Sequence, residues 1–415
     1  MNSTSELIQV NADRLWQSLM DMAQIGPGLT GGTNRQALTS EDGEARQLFQ
    51  LWCEVEGCTV AIDRVGNMFA TRDGIDPTAL PVYIGSHLDT QPTGGKFDGV
   101  LGVLAGLETI RTLNDHDVQT RRPIVVTNWT NEEGSRFAPS MMGSGVFAGR
   151  YDETWVYSRA DSEGLLFGDE LEKIGFLGSE KLGQRKIHAY FELHIEQGPI
   201  LEREQTDIGI VTHAQGLTWL KVHLTGKESH AGATPMPGRR DAAMGMARLI
   251  QLVNEIALRH GSNSVGTVGQ MDIYPNSTNT IPGGATFTID FRSPSSKALS
   301  GMVERFLDEA KSICADSKVE VSTEVLGGFE PVTFDEGCID MVRKAVDAFG
   351  YKACDIVSGA GHDACSVNGI APATMIMCPC VDGLSHHEAE NILQEWATAG
   401  ANVLMNATFQ AADSL

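Results

Sequence analysis

The chain is poor in basic residues and has no long apolar runs. It carries 31 Lys and Arg residues against 54 Asp and Glu, a formal net charge of −23 at pH 7. Nucleic acid and anionic membranes are therefore not expected as partners. No apolar stretch reaches membrane-spanning length, and residues 1–10 lack the basic segment and apolar core of a secretory signal. We expect a cytoplasmic protein that acts on a small molecule.

The cysteine pattern gives no sign of a disulfide framework or a zinc ribbon. The eight cysteines contain no C-x-x-C pair, and Cys378 and Cys380 are the closest two. In a cytoplasmic protein we expect reduced, partly buried thiols here, with a metal or redox role as the alternative.

Length and hydrophobic pattern predict two domains. At 415 residues the chain can form more than one core. Over residues 7–212, near-continuous apolar strands alternate with helical patterns, which is typical of a mostly parallel sheet buried on both faces. The same alternation resumes at 340–349, 371–377 and 394–405. We predict an α/β domain, a mixed but mostly parallel sheet flanked by helices, formed by residues 1–212 and 329–415.

The middle of the chain has a different pattern. Its strands and helices are predicted, in order, at 219–225 (strand), 241–258 (helix), 265–274 and 285–291 (strands), 296–314 (helix) and 319–325 (strand). This β-α-β-β-α-β order is typical of a ferredoxin-like α+β module. Residues 213–328 therefore look like an inserted domain.

Candidate reactive side chains follow three of the predicted strands in the first domain. His87 follows the strand at 82–86, Glu132 and Glu133 follow the one at 124–129, and His194 follows the one at 189–193. The carboxyl ends of parallel strands share one crevice, so these residues should converge. Histidines with adjacent carboxylates suit a two-metal hydrolytic site, because one carboxylate can bind metal while its neighbour transfers a proton.

Several of these residues also have ordinary structural explanations. Asp98 stands at the start of a predicted helix, where an N-cap and a metal ligand are equally compatible with its position. The glycine-containing loop 94–99 could bring it back beside His87, while Asp89 could fix the tautomer of that histidine. His386 and His387 cannot be told apart by spacing.

Seven segments of the sequence resemble one known family. They are GSHLDT at 85–90, GKFDG at 95–99, NEEGSRF at 131–137, ELHIEQG at 192–198, GKESHAG at 226–232, SGAGHDA at 358–364 and GLSH at 383–386. In order and nearly from end to end, these resemble the hydantoinase/carbamoylase amidases. That family holds N-carbamoyl-L-amino acid hydrolases, β-ureidopropionases and allantoate amidohydrolases, and it belongs to the clan of dinuclear zinc aminopeptidases.

The resemblance implies two divalent metal ions per subunit. Asp98 would bridge them, His87 and His194 would complete one site, and Glu133 and His386 the other. His386 is preferred because it matches the family's Ser-His, whereas His387 falls where the family often has Asn. Zn²⁺ is the expected ion, with Mn²⁺, Co²⁺ or Ni²⁺ as alternatives.

The catalytic and substrate-binding roles are also implied by the resemblance. Glu132 would be the general base, and Asp89, next to the metal ligand His87, would be a further catalytic residue. His230 would stabilise the oxyanion from the lid of a partner subunit, which makes the inserted module a lid and a homodimerisation domain. The residues implied to contact the substrate are Asn279 and Arg292 at its carboxylate, together with Gln197 and Gly359.

The segment at 215–219 resembles the carbamoyl-amino-acid branch of the family. The expected reaction is therefore cleavage of the ureido C–N bond of an N-carbamoyl-L-amino acid, or of an N-carbamoyl-β-amino acid, to the amino acid, CO2 and ammonia. Allantoate amidohydrolase is the alternative enzyme. A metal-stabilised binding protein without catalysis is the alternative of a different class.

Overall fold

A computed structural model of the chain describes residues 7–261 and 263–413. Residues 1–6, 262 and 414–415, which belong to the predicted domains, lie outside this part. Helices run over α1 Ala12–Met22, α2 Ser40–Val55, α3 Val100–Asp115, α4 Met142–Phe147, α5 Glu153–Tyr157, α6 Phe167–Lys173, α7 Ile200–Arg203, α8 Ala242–Arg259, α9 Ser296–Asp316, α10 Glu336–Phe349, α11 Asp363–Val367 and α12 Gln394–Asp413.

The strands follow the same chain order. They are β1 Thr59–Ile62, β2 Met68–Arg72, β3 Val82–His87, β4 Ile124–Trp129, β5 Ala189–Ile195, β6 Ile208–Ala214, β7 Gly216–Thr225, β8 Ser229–His230, β9 Val265–Tyr274, β10 Thr280–Ile281, β11 Gly284–Ser293, β12 Glu320–Phe329, β13 Val332–Thr333, β14 Ala353–Ser358 and β15 Ala373–Cys378. Within the described residues, none of the helices combines the length and apolar character needed to cross a bilayer.

The chain divides into two compact units. The first comprises residues 7–212, 334–356 and 361–413, and the second comprises 213–333 with the short segment 357–360. The segment 357–360 therefore belongs with the inserted module although it lies well beyond it in sequence.

The first unit is built on a large mixed sheet. Its strand order is β1-β2-β4-β3-β5-β15-β6, in which the four central strands are parallel and the outer ones antiparallel. Every residue of β3, β4, β5 and β15 is buried, as expected for strands covered by helices on both faces. The helices α3 and α12 pack against this centre. The predicted fold class is confirmed, although the antiparallel β1, β2 and β6 were not predicted.

The second unit has the ferredoxin-like arrangement. Its antiparallel strands lie in the order β12-β7-β11-β9, and α8 and α9 pack on the sheet. Along β11 buried and partly exposed residues alternate strictly, so one face of the sheet forms a core with the two helices. A separate two-stranded ribbon of β8 and β10 pairs His230 with Thr280.

Candidate metal centre

Two buried histidines lie on neighbouring parallel strands of the first unit. His87 ends β3 and His194 lies near the end of β5. Their Nδ1 atoms lie 2.9 Å from the carbonyl oxygens of Asp89 and Ile195 respectively. Because a carbonyl only accepts, each Nδ1 carries a proton, which leaves Nε2 as the nitrogen that can bind a metal. This is the form in which imidazole binds a metal.

The carboxylate of Asp98 lies among three histidines. Its Oδ1 is 3.0 Å from Nε2 of His194 and 3.6 Å from Nε2 of His87, while Oδ2 is 3.5 Å from Nε2 of His386. Asp98 does not cap α3, because the N-cap is Gly99 and no side-chain cap hydrogen bond forms. The N-cap interpretation is therefore wrong, and the side chain of Asp98 faces the candidate ligands instead.

Gly99 allows Asp98 to lie close to His87. Its φ is +67°, in the left-handed region, and a Cβ at this position would lie on the imidazole of His87. Only glycine satisfies both conditions without displacing the histidine. The turn before α3 thus fixes the distance between Asp98 and the histidine on β3.

Glu133 and His386 complete a second group around Asp98. Oε2 of Glu133 lies 3.4 Å from Nε2 of His386 and accepts a hydrogen bond from Gln91 at 2.7 Å. The ligand atoms of Asp98, Glu133 and His386 lie within 4.8 Å of one another, as do those of His87, Asp98 and His194. The two groups share Asp98 and offer only nitrogen and oxygen donors, which suit Zn²⁺ and neighbouring divalent metals.

Of the two adjacent histidines, the structure brings His386 to the site. His386 has a left-handed backbone with φ +54°, and its side chain is half exposed. Nδ1 of His387 instead accepts the backbone N–H of Ala389 at 3.0 Å. The choice between them is thus a matter of backbone conformation that spacing alone does not show.

Asp89 supports the loop that carries the paired glutamates. Its carboxylate accepts the backbone N–H groups of Glu132 and Glu133, each at 3.2 Å. The backbone carbonyl of Asp89, not its carboxylate, binds Nδ1 of His87. Burial raises the pKa of Asp89 to about 7. One residue therefore orients both a histidine and the two glutamates.

Glu132 is a buried carboxyl beside the first ligand group. Its Oε2 lies 3.6 Å from Nε2 of His87. Burial raises the pKa of Glu132 well above its usual range, and the carboxylates of Asp363 and Glu133 raise it further. A carboxyl with a raised pKa is suited to accepting and returning a proton near neutral pH.

Gln197, in the first unit, reaches the shared ligand. Its Nε2 donates to Oδ2 of Asp98 at 2.7 Å and lies 3.4 Å from Oγ of Ser385. Its backbone is left-handed, with φ +60°. This side chain therefore belongs to the same cluster as Asp98 and His386.

In the second unit, the structure brings His230 beside Asn279 on the small ribbon. Nδ1 of His230 accepts the backbone N–H groups of Gly232 and Ala233, each at 3.1 Å, so Nε2 carries the proton. The carbonyl of Asn279 accepts the N–H of Ala231 at 2.9 Å. His230 is exposed and thus presents an N–H donor, the kind of group that stabilises an oxyanion.

Arg292 and Gly359 also lie together in the second unit. The guanidinium of Arg292 pairs with Asp290, at 2.8 Å from Oδ2, and donates to the carbonyl of Gly359 at 3.1 Å. These bonds hold the planar donor fork of Arg292 in one orientation. Part of the side chain remains exposed, so a carboxylate in solution can reach it.

Sequence reasoning missed His362, Asp363 and Glu390. The ring of His362 lies 4.3 Å from that of His194, and its buried Nε2 has no hydrogen-bond partner within residues 7–261 and 263–413. Asp363 is buried and raises the pKa of Glu132. His362 and Asp363 follow the strand β14. Position just after a strand, which identified Glu132, could therefore have identified these two residues as well.

The fold and the site together define an α/β protein with a largely buried side-chain cluster suited to binding metal. The family model described as peptidase family M20/M25/M40 matches residues 83–410. The chain therefore belongs to peptidase family M20/M25/M40, a family of hydrolases, and its relatives there are amidases of the hydantoinase/carbamoylase type. The resemblance that the sequence motifs indicate is confirmed.

Similar proteins align over nearly the whole chain. The N-carbamoyl-L-amino-acid amidohydrolase of Rhizobium meliloti is 58% identical over 413 residues, covering 100% of this chain and 99% of that protein. The corresponding enzyme of Geobacillus stearothermophilus is 38% identical over 408 residues, covering 97% and 99%. A crystal structure of a hydantoinase/carbamoylase family amidase from Burkholderia multivorans is 51% identical, with a TM-score of 0.96, covering 98% and 99%.

Proposed function

We propose that this protein is a metal-dependent amidohydrolase that cleaves the ureido C–N bond of N-carbamoyl-L-amino acids. The observation that carries the proposal is the cluster in which two groups of ligand atoms share Asp98 while Glu132 lies 3.6 Å from Nε2 of His87. The names of relatives that align from end to end support the same reaction. The products would be the free amino acid, CO2 and ammonia.

Five side chains would hold two divalent ions. His87 and His194 would bind one, Glu133 and His386 the other, and Asp98 both. The carbonyl contacts at Nδ1 of His87 and His194 support this assignment, since they turn both Nε2 atoms toward Asp98. Such ions, when bound, would polarise the substrate carbonyl and make a water molecule more acidic.

Glu132 would move the proton that the hydrolysis requires. Its carboxylate would accept a proton from the attacking water and return it to the nitrogen of the breaking C–N bond, so the amine leaves neutral. Asp89 would keep Glu132 in place through the backbone. The N–H at Nε2 of His230 would stabilise the negative charge that develops on the carbonyl oxygen.

Arg292 and Asn279 would read the substrate's carboxylate. The guanidinium of Arg292 offers a bidentate fork, and its contact with Asp290 limits the entropy lost on binding. Gln197 and Gly359 would contact the remaining polar atoms of the substrate. An enzyme of this design should discriminate against substrates in which the carboxylate is replaced by a neutral amide.

A homodimer through the second unit would supply His230 to a neighbouring subunit. The outer strands β9 and β12 support this proposal, because both leave large apolar side chains exposed. The exposed residues are Val265, Met271, Tyr274, Val325 and Leu326. Apolar side chains along unpaired edge strands are typical of surfaces that another chain covers.

The substrate class can be tested with a panel of ureido compounds. Purified, metal-loaded protein should release ammonia from N-carbamoyl-L-amino acids faster than from allantoate, and only slowly from the matching carboxamides. Equal rates on an acid and its carboxamide would show that the carboxylate is not read. Faster turnover of allantoate would favour the allantoate amidohydrolase assignment, and metal binding without any turnover would indicate a binding protein.

A further inference from the structure

Glu390 contacts both the backbone and, through one hydroxyl, the side chain of Asp98. Its Oε1 accepts the backbone N–H groups of Phe97 and Asp98, each at 3.1 Å. Its Oε2 lies 3.1 Å from Oγ of Ser385, and that hydroxyl lies 2.8 Å from Oδ2 of Asp98. The buried carboxylate of Glu390 is thus linked to Asp98 twice, directly at the backbone and through Ser385 at the side chain.

The same carboxylate joins two loops of the candidate metal centre. Asp98 lies between β3 and α3, whereas Glu390 lies between β15 and α12, four residues after His386. A Cβ at Gly95 would lie on the Glu390 carboxylate, so the first loop is closely packed around it. Glu390 therefore holds the loop of Asp98 against the loop of His386, the two ligands whose spacing defines the second group.

The geometry points to Glu390 as a positioning residue that sets the place of Asp98 and thereby the metal affinity of both ligand groups. This inference rests on the proposed function, because it concerns the metals that Asp98 would share. Burying a carboxylate is costly, and an apolar side chain would fill the same volume at less cost. The two backbone N–H bonds at Phe97 and Asp98 and the contact with Ser385 are polar interactions that packing alone does not require.

Two substitutions separate positioning from packing. Glu390→Met keeps most of the volume but removes both acceptors. In Glu390→Gln the amide oxygen can still accept from the two N–H groups, and the NH2 group can donate to Ser385, whose hydroxyl then donates to Asp98. The matched control is Glu108→Met, which removes another buried glutamate that accepts a backbone N–H, that of Asn11, away from the metal centre.

The test is a titration of metal-free protein with Zn²⁺ against a chromophoric chelator, alongside thermal unfolding of each variant. We expect Glu390→Met to weaken Zn²⁺ binding about 10–100-fold, as is usual when a residue orienting a metal ligand is lost. Glu390→Gln should stay close to the parent. Glu108→Met should lower the unfolding temperature yet bind Zn²⁺ as the parent does.

Three results would overturn the inference. They are parental affinity in Glu390→Met, an equal loss in Glu390→Gln, and an equal loss in Glu108→Met. Should Glu390→Met fail to fold, Glu390→Asp takes its place, because it keeps the charge but withdraws the carboxylate by one methylene from the N–H groups of Phe97 and Asp98; weakened Zn²⁺ binding is expected, and parental binding would contradict the role. A parent protein that binds no Zn²⁺ would instead refute the proposed function, so the two failures are distinguishable.

Discussion

Oδ1 of Asp98 lies 3.0 Å from Nε2 of His194. The other ring nitrogen of His194 donates to the carbonyl of Ile195, so it is Nε2 that faces the carboxylate oxygen. A lone pair on Nε2 and a carboxylate oxygen would repel unless a proton or a cation lay between them. The arrangement therefore requires a positive charge at the point where the two candidate ligand groups meet.

Substitution of Glu132 and of Glu133 should have different effects, on turnover in the first case and on metal content in the second. Glu132→Gln should keep its metal ions and lose turnover by about a hundredfold or more, the usual scale for a lost general base. Glu133→Gln should lose metal from the second group. Elemental analysis beside steady-state kinetics checks both variants, and equal metal loss in the two would contradict this division of roles.

Gly99→Ala should lose bound metal as well as stability, whereas a control glycine substitution should lose stability only. Both Gly99 and the control position Gly149 have left-handed backbones, with φ +67° and +75°, but a Cβ at Gly149 meets nothing within 4 Å. Gly149→Ala should therefore cost only the backbone strain, about 1–2 kcal/mol. Gly99→Ala should cost more and also lose metal, because its Cβ displaces His87. Urea unfolding and metal content measure the two effects, and identical behaviour of the variants would argue against the contact.

Mixing two inactive variants tests whether sites borrow His230 from a neighbouring subunit. After exchange, Glu132→Gln and His230→Ala proteins should together regain about a quarter of parental activity, since half of random dimers are mixed and each has one intact site. Each variant alone serves as the control. No recovery after verified subunit exchange would count against sharing.

The loop after Glu133 should be less stable in acid because Arg136, on this loop, pairs with Glu170, which also pairs with Lys173. The Arg136 guanidinium, 2.6 Å from Oε2 of Glu170, holds the pKa of that carboxyl below its usual value of 4.5. Because the folded pKa is the lower one, the pair stabilises fully above the unfolded pKa and less as pH falls through the folded pKa. The unfolding temperature of Glu170→Gln should thus lie below that of the parent near neutral pH.

That difference in unfolding temperature should shrink as pH falls below 4.5 and through the lower folded pKa, and it should vanish once Glu170 is protonated in both states. The exposed Glu163 provides the control, and Glu163→Gln should leave the pH curve nearly unchanged. A Glu170→Gln difference that is constant with pH would show that the pair's charge does not contribute.

The central strands were predictable because a strand that is buried on both faces has a nearly continuous run of apolar residues. Every residue of β3, β4 and β5 is buried, and their apolar runs are nearly continuous. The edge strand β1 is short and largely half exposed, so neither a continuous run nor an alternation marks it. The antiparallel edge was missed for this physical reason.

Most residues of the candidate site could be predicted because they follow the ends of predicted strands. The backbone conformation of the loops and the hydrogen bonds between distant segments could not be predicted from the sequence. Asp98 could be a cap or a ligand until the turn at Gly99 was known, and His386 differs from His387 only by its backbone. Glu390 bonds to the N–H of Asp98 from 292 residues away. No local pattern records such a contact.

Ammonia release from an N-carbamoyl-L-amino acid, measured together with bound metal, tests the central claim most directly. The account predicts that chelator-treated protein, shown by elemental analysis to be metal-free, releases no ammonia, and that activity returns with Zn²⁺, Mn²⁺ or Co²⁺ as about two ions bind per chain. Full activity in verified metal-free protein would contradict it.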